Sequence, residues 1–443
     1  MWVIMKKEDL LEILSDWNFW AKEIDTGIKR EYYLKELLKT IIKTDQIICI
    51  SGVRRSGKST IIRQIAKELI KEKGEKNTLI VNFEDERFSE RNLNTLIDTY
   101  NCYLEKVKQT GKKPFIFLDE IQNVKDWERF VRGMHERKEA KIVVSGSSSK
   151  LLSAELATLL TGRHILYTLY PLSFKEFLFF NNILINSDID IVSKRIEIKK
   201  MMDDYLEFGG FPEIVLSSEK KRIILSYFET IISRDIIERF RIREREKIRI
   251  LAKFYLTNIA SPITFNKISR FLKLPLTTVE RFSDYLETSH LIFFVKRFSY
   301  SIKEQEKSQR KVYAVDCGLS NTIGFRFTEN FGKIMENVVA MELKRKQTMN
   351  PQLEIYYWKD YQQREVDFVL KESTQVTQVI QVSSNIEDIN TKERELKSLS
   401  KAMDEFKLKE GLVITEDIEG EEVISGNKIV YKPLWKWLLE QYL

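Results

Sequence analysis

The chain has 443 residues, of which 43% are hydrophobic and 31% charged, with 16 Gly, 7 Pro and 3 Cys. That length allows about three domains with sizeable cores, and the composition excludes a disordered, collagen-like or low-complexity chain. The net charge of +7 is a mild excess whose meaning depends on where it sits. Cys49, Cys102 and Cys317 are scattered without a CxxC spacing, which excludes a disulfide scaffold and points to a reducing compartment. At the start, Met1-Trp2-Val3-Ile4-Met5 precedes Lys6 and Lys7, the reverse of the charge-first order of a signal peptide. The apolar stretch 177–185 is interrupted by Asn181 and Asn182 and falls far short of the ~20 residues that cross a bilayer. A soluble cytoplasmic protein with no membrane partner is expected.

In chain order, residues 1–45 read as helical. Leu10, Leu11, Ile13, Leu14, Trp17 and Trp20 recur at helix spacing, and the pattern returns over 32–42. Continuous apolar runs follow at 47–50, 78–83, 114–118 and 141–144, separated by helical stretches. Short, wholly apolar strands alternating with helices predict a parallel sheet covered on both faces. Residues 46–170 are therefore expected to form an α/β domain. A helix-rich segment, 171–245, is broken at Gly209-Gly210-Phe211-Pro212. Within the next segment, 246–318, the pattern is helix, helix, helix, strand. The last third, 319–443, returns to mixed α/β, with strands expected at 354–358, 365–370, 376–382, 411–415 and 428–431. The predicted fold class is α/β and multidomain.

The first strand runs into Gly52-Val53-Arg54-Arg55-Ser56-Gly57-Lys58-Ser59-Thr60, and a helical pattern of Ile61, Ile62, Ile65, Ala66 and Leu69 follows. This is G-x-x-x-x-G-K-S in a strand–loop–helix context, the phosphate-binding loop. The glycines let backbone N–H groups curl around phosphates, and the helix N-terminus adds partial positive charge. Lys58 is expected to reach the β- and γ-phosphates of ATP, with Ser59 on Mg²⁺. In Phe115-Ile116-Phe117-Leu118-Asp119-Glu120 two carboxylates emerge at the C-terminal end of a buried strand, where α/β sheets bind ligands. Asp119 is expected in the Mg²⁺ shell, and Glu120 as the base that deprotonates the attacking water. A third strand ends in Ser145-Gly146-Ser147-Ser148-Ser149, where a polar side chain is expected between Glu120 and the γ-phosphate: Ser147 in preference, Ser145 otherwise. Arg163 and Arg234 are the candidates for neutralising transition-state charge. If either acts in trans, a homo-oligomer is implied.

The charge is unevenly placed. Residues 233–312 hold 18 Lys and Arg against 9 Asp and Glu, a net +9, so the remainder sums to −2. A helix carrying Phe265, Ile268, Phe271 and Leu272, a Leu274-Pro275 turn and a second helix with Val279, Phe282, Tyr285 and Leu286 inward precede a strand at 291–295. A charged excursion at 296–310 and a returning strand at 311–315 complete a helix–turn–helix with a β-wing. Its expected DNA-facing residues are Lys267, Arg270, Lys273, Thr277, Thr278, Arg281, Lys296, Arg297 and Lys303, suited to phosphate contacts. A winged helix used only for protein packing is the alternative.

Taken together these residues resemble the archaeal ATPase family of AAA+/STAND-like P-loop ATPases. The resemblance rests on 52–59, on Leu118-Asp119-Glu120-Ile121-Gln122, on Ser145-Gly146-Ser147-Ser148 and on Thr161-Gly162-Arg163. Pro171-Leu172-Ser173-Phe174-Lys175-Glu176-Phe177 and Gly209-Gly210-Phe211-Pro212 extend it. It implies an ATPase core, a helical lid at 171–245, a winged helix at 246–318 and a C-terminal restriction-endonuclease-like region of DUF4143 type at 319–443. A nuclease of that fold needs a helix carboxylate, a strand Asp, and Glu-x-Lys on the next strand. Glu336 matches the first and Asp367 the second, but the third slot reads Gln381-Val382-Ser383. One carboxylate has become an amide and the lysine is missing, so the nuclease site is expected to be degenerate. The expected function is an Mg²⁺-dependent ATPase associated with DNA. The alternatives are an ATP-gated nuclease and a nucleotide-switched scaffold without DNA.

Overall fold

The computed structural model describes residues 6–109, 111–147, 160, 162–325, 331–424 and 426–442. Two compact units divide the chain, Met1–Leu169 and Tyr170–Leu443. In the first unit, β1 (Ile47–Ser51), β2 (Thr78–Asn82), β3 (Phe115–Asp119), β4 (Lys141–Gly146) and β5 (His164–Thr168) make one sheet in the order β2-β3-β4-β1-β5. Every pairing in it is parallel. All five residues of β1 and of β3 are buried, as in strands covered on both faces. The four predicted strands are present. The fifth, β5, has no counterpart among them: it lies at the sheet edge and most of its residues are only half-buried.

Side chains alternate across this sheet. Cys49, Leu79, Val81, Ile116, Leu118 and Val144 share one core with Leu10, Ile13 and Leu14 of helix Lys7–Trp17. Leu96 and Tyr103 of helix Leu93–Lys106 and Val131 and Met134 of helix Trp127–Glu136 complete it. Burying each Leu or Ile contributes about 1.5–3 kcal/mol, so helix Lys7–Trp17 of the expected N-terminal segment is built into the sheet's own core. Asn18 is fully buried beside β2. Its amide donates to the carbonyls of Leu14 (2.7 Å) and Ile80 (2.8 Å), and its Oδ1 accepts from the Ile80 N–H (2.7 Å). Asn18 thus does for the outer edge of β2 what another strand would.

The second unit holds a mixed sheet of nine strands. They are β6 (Ser261–Ile263), β7 (Ile292–Arg297), β8 (Arg310–Ala314), β9 (Leu353–Lys359), β10 (Glu365–Glu372), β11 (Gln375–Ser383), β12 (Glu410–Thr415), β13 (Gly420–Ile424) and β14 (Asn427–Pro433). Their order is β13-β14-β12-β11-β10-β9-β7-β8-β6. The five strands expected in the last third are present. The acidic, largely exposed β13 is additional to them. Between helix Arg245–Thr257 and β8 the chain runs through β6, helices Phe265–Leu272 and Leu276–Thr288, and the antiparallel pair β7–β8. β7 also pairs in parallel with β9, through Lys296↔Tyr356 and Arg297↔Tyr357. One sheet therefore crosses the boundary expected at 318/319. Phe298, just past β7, is buried in the C-terminal core with Trp358, Val366, Leu399 and Met403, which anchors the first part of the 296–310 excursion. Among the described residues no helix is long and apolar enough to cross a membrane. All three cysteines are buried and unpaired by disulfides.

Candidate nucleotide site

Parallel pairing brings Ser51, Asp119 and Gly146 to the same, C-terminal, edge of the first sheet. The loop after β1 closes there. Gly52 has φ +149, and a Cβ on it would lie 2.2 Å from the Leu169 carbonyl oxygen, so only glycine fits against the end of β5. Gly57 has φ +97, and a Cβ on it would meet no atom within 4 Å; open space lies before the loop at that point. Arg55 between them takes φ +69, a left-handed conformation that costs a side-chain-bearing residue energy and is concentrated at ligand sites. The helix Lys58–Lys73 starts with the Ile61 N–H on the Gly57 carbonyl at 2.9 Å.

Lys58 is 4% exposed. Its ammonium donates to the carbonyls of Gly52 (3.1 Å) and Val53 (3.2 Å) and stands 3.9 Å from the Glu120 carboxylate. Arg54 pairs with Glu84 at 3.0 Å. Ser145 donates to Asp119 through its hydroxyl, and the Ser59 hydroxyl bonds the same carboxylate. Glu120 sits at φ 50, ψ 41, so its backbone turns out of the strand at once and its carboxylate aims differently from Asp119. Gln122 donates to it through the side-chain amide and Ser147 through the backbone N–H at 3.3 Å.

The two adjacent carboxylates are driven apart electrostatically. Burial and then the charge of Glu120 push Asp119 above its ordinary value, against hydrogen bonds from Ser145 and Ser59. Burial acts on Glu120 in the same sense, but the Lys58 ammonium, the Gln122 amide, Arg54 and the Ser147 N–H outweigh it and hold Glu120 low. Glu120 is thus ionised and able to accept a proton. Ser56 Oγ is buried without a protein partner among the described residues, an orphan donor within the loop. That hydroxyl, the loop N–H groups, the helix N-terminus and Lys58 fit a polyphosphate. Ser59 and Asp119 supply oxygens for a divalent cation bound with it.

Of the expected site residues, the loop 52–60, Asp119, Glu120, Ser145 and Ser147 converge here. Ser148, Ser149 and Thr161 lie outside the described residues. Arg163 does not converge in its own chain. It precedes β5 at the opposite edge of the sheet, its carbonyl accepts from the Ile47 N–H at 2.9 Å, and its guanidinium pairs with Glu136 at 3.2 Å. Five residues of β1 separate the two edges, about 15 Å at ~3.3 Å per residue. We expect Arg163→Ala to change ATP turnover by less than about threefold; a loss near the ~10³ of a true arginine finger in a steady-state assay would show that a second copy supplies it. Arg234 is exposed on the π-helical turn Ile231–Glu238 of the second unit.

Three contributors are given no role by the motifs. Arg30 is 2% exposed and donates to the Ser56 carbonyl at 2.9 Å. Gln64 donates to the carbonyls of Thr26 (2.8 Å) and Ile28 (2.9 Å) and accepts from the Arg30 N–H (3.2 Å). Together they bolt the segment before helix Glu31–Lys43 onto the loop. Their one signal in the sequence is a glutamine among the buried Ile61, Ile62, Ile65 and Ala66. Gln122 is the third.

In the second unit Lys267, Arg270, Lys273, Thr277, Arg281 and Lys303 are exposed, and Thr278 is half-buried. Two expected DNA contacts are otherwise engaged. Lys296 pairs with Glu306 at 2.5 Å, and Arg297 donates to the Lys359 carbonyl beside the β7–β9 pairing. Of the four nuclease-pattern residues, Glu336 lies on helix Phe331–Met349, Asp367 on β10, and Gln381 and Ser383 on β11. Asp367 accepts from the Val382 N–H at 2.9 Å, and the Gln381 amide donates to Glu395 at 2.6 Å. An ammonium from elsewhere stands between two of these acids: Lys311 of β8 contacts both Glu336 and Asp367. In the sequence it is one more residue of the basic stretch.

The all-parallel sheet, the glycine loop and the acidic pair define the first unit as a P-loop nucleotide-binding domain of AAA type. The AAA domain family matches residues 44–178, and domains of unknown function match 199–329 (DUF8612) and 331–437 (DUF4143). An uncharacterized protein of Methanocaldococcus jannaschii, MJ1544, is 35% identical over 410 residues, covering 89% of this chain and 88% of that one. An uncharacterized protein of Haemophilus influenzae is 31% identical over 425 residues, covering 93% and 99%. The chain belongs to the family of these proteins. Among solved structures, a Signal Transduction ATPase with Numerous Domains (STAND) protein with a tetratricopeptide repeat sensor from Pyrococcus horikoshii aligns with 74% of this chain and 47% of its own, at 13% identity and a TM-score of 0.27.

Proposed function

We propose that this protein binds ATP with Mg²⁺ and hydrolyses it, and that it associates with DNA through a winged helix at 246–318. The observation that carries the hydrolytic reading is the Glu120 carboxylate, held ionised in a left-handed turn 3.9 Å from Lys58. A chain that only binds nucleotide needs no second carboxylate poised in this way; one that activates water does. Ser59 and Asp119 would hold the Mg²⁺, which neutralises phosphate charge when bound. Lys58 would orient the phosphates, and Ser147 and Gln122 would keep Glu120 aimed at the water. ATP turnover by the wild type against Glu120→Gln is the test.

The DNA reading rests on element order and on exposed charge. Helix, strand, helix–turn–helix and hairpin follow one another from 245 to 314. On helix Leu276–Thr288, Thr277, Arg281 and Asp284 are exposed while Val279, Phe282 and Leu286 are buried. Lys267 and Arg270 add positive charge on the helix before it, and Lys273 at its C-terminal end. Lys296 is paired with Glu306 and Arg297 with the Lys359 carbonyl, so both charges already have partners. We expect duplex DNA binding to weaken steeply with salt, and Arg270→Ala with Arg281→Ala to reduce the log–log salt slope by about 0.9 per lost phosphate contact. Fluorescence anisotropy measures it. No binding at about 50 mM salt would favour a scaffold that does not touch DNA.

A further inference from the structure

The Lys311 side chain is 1% exposed, and its ammonium has three carboxylate oxygens around it: Glu336 Oε1 at 2.9 Å, Glu365 Oε1 at 2.8 Å and Asp367 Oδ1 at 2.8 Å. An ammonium has three hydrogens, and each has a carboxylate here. Tyr313 donates its hydroxyl to the same Oε1 of Glu336 at 2.7 Å, and Lys359 pairs with the other oxygen of Glu365 at 3.2 Å. The backbone of Lys311 is fixed on both sides, opposite Val295 in β7 and Pro262 in β6.

A divalent cation shared by the strand and helix acids would take its oxygens at about 2.0–2.6 Å. The point equidistant from those oxygens is the point the ammonium occupies. Two cations at one point repel with no water between them to screen the charge. A catalytic lysine of a nuclease, by contrast, keeps a hydrogen for the attacking water, and Lys311 has none to spare.

We infer that Lys311 is the resident cation of this site in place of a divalent metal, so that the Glu336–Glu365–Asp367 cluster is an ion lock joining β8 to β10 and helix Phe331–Met349 and does not cut nucleic acid. This is independent of the ATPase reading. The cation comes from a strand that precedes Asp367 by 56 residues.

The test uses the full-length chain without nucleotide, titrated with Mn²⁺ and followed by electron paramagnetic resonance. Wild type and Asp367→Asn bind the same amount of Mn²⁺. Lys311→Ala frees the three carboxylates and gains one Mn²⁺ site, about tenfold or more tighter than any the wild type shows there, which Asp367→Asn in the same background removes. Mn²⁺ also raises the unfolding midpoint of Lys311→Ala and leaves that of the wild type in place. A folded Lys311→Ala that takes up no extra Mn²⁺ overturns the inference. If Lys311→Ala does not fold, the wild type decides: Mn²⁺ binding lost in Asp367→Asn, or metal-dependent cleavage of linear or branched DNA lost in Asp367→Ala, overturns it, and equal binding with no cleavage supports it.

Discussion

Glu120→Gln is expected to keep ATP bound and to lower its turnover by about 10²–10⁴, the usual worth of a general base. The substitution preserves shape and the contact with the Ser147 N–H, but a neutral amide cannot take a proton. Lys58→Ala is expected to act earlier, weakening ATP binding by about 10–100-fold, because a charged hydrogen-bond donor is worth about 1.5–3 kcal/mol. Nucleotide binding by fluorescent ATP analogue and phosphate release by a colorimetric assay separate the two effects. Unchanged phosphate release in Glu120→Gln would assign the base to another group. Because Lys58, Gln122, Arg54 and Ser147 hold Glu120 below its ordinary value, turnover in the wild type should not fall on account of this carboxylate between pH 8 and about pH 5.

The second large effect is expected at Asp316, deep in the other unit. Asp316 is 4% exposed and caps helix Cys317–Ile323, accepting from the Gly318 N–H at 2.9 Å. Its other oxygen accepts from the Gly210 N–H at 2.7 Å. The carboxylate presses against the Gly209-Gly210 break: a Cβ on Gly209, at φ +77, would lie 1.9 Å from Asp316 Oδ1. Asp316→Ala strands buried N–H groups, at about 1–3 kcal/mol each, and should lower the unfolding midpoint by about ten degrees for a unit of this size. Gly209→Ala should do comparable damage from the other side of the contact. Burial pushes the Asp316 carboxyl up to about 6 despite its backbone hydrogen bonds. An unfolded Asp titrates near 3.9, so between these values the folded chain holds a proton that the unfolded chain has lost. The stability from this group is therefore fully present below about pH 4 and is lost as pH rises through about 6. The stability difference between wild type and Asp316→Asn, measured by calorimetry, should shrink by about 2–3 kcal/mol over that window. A pH-independent difference would show that Asp316 titrates normally.

Much of the first unit was legible without coordinates. Four of its five strands are short apolar runs, and the residues of the phosphate loop are contiguous, so their chemistry follows from local backbone geometry. The same holds for Asp119 and Glu120 at the end of β3. The expected residues that do not join a site within this chain share a cause. Arg163 lies in a motif, but strand direction puts it at the wrong edge of the sheet in its own chain. Lys296, Arg297 and Lys311 each add one to a count of basic residues, and a count does not distinguish a solvated charge from one tied to a carbonyl or a carboxylate.

The sequence by itself determined the alternation of strands and helices, the phosphate loop, the acidic pair and the concentration of +9 within 233–312. Only the tertiary structure decided what that charge does. Pairing of β7 with β9 draws the β7–β8 pair into the C-terminal sheet, and β8 delivers Lys311 into a ring of carboxylates from 336, 365 and 367. The excess of the whole chain, +7, therefore includes at least one charge that no solvent partner meets. Contacts between residues close in sequence follow from spacing and propensity. Contacts across 25 to 56 residues, such as those of Lys311, depend on strand register, which is set by the packing of the whole sheet.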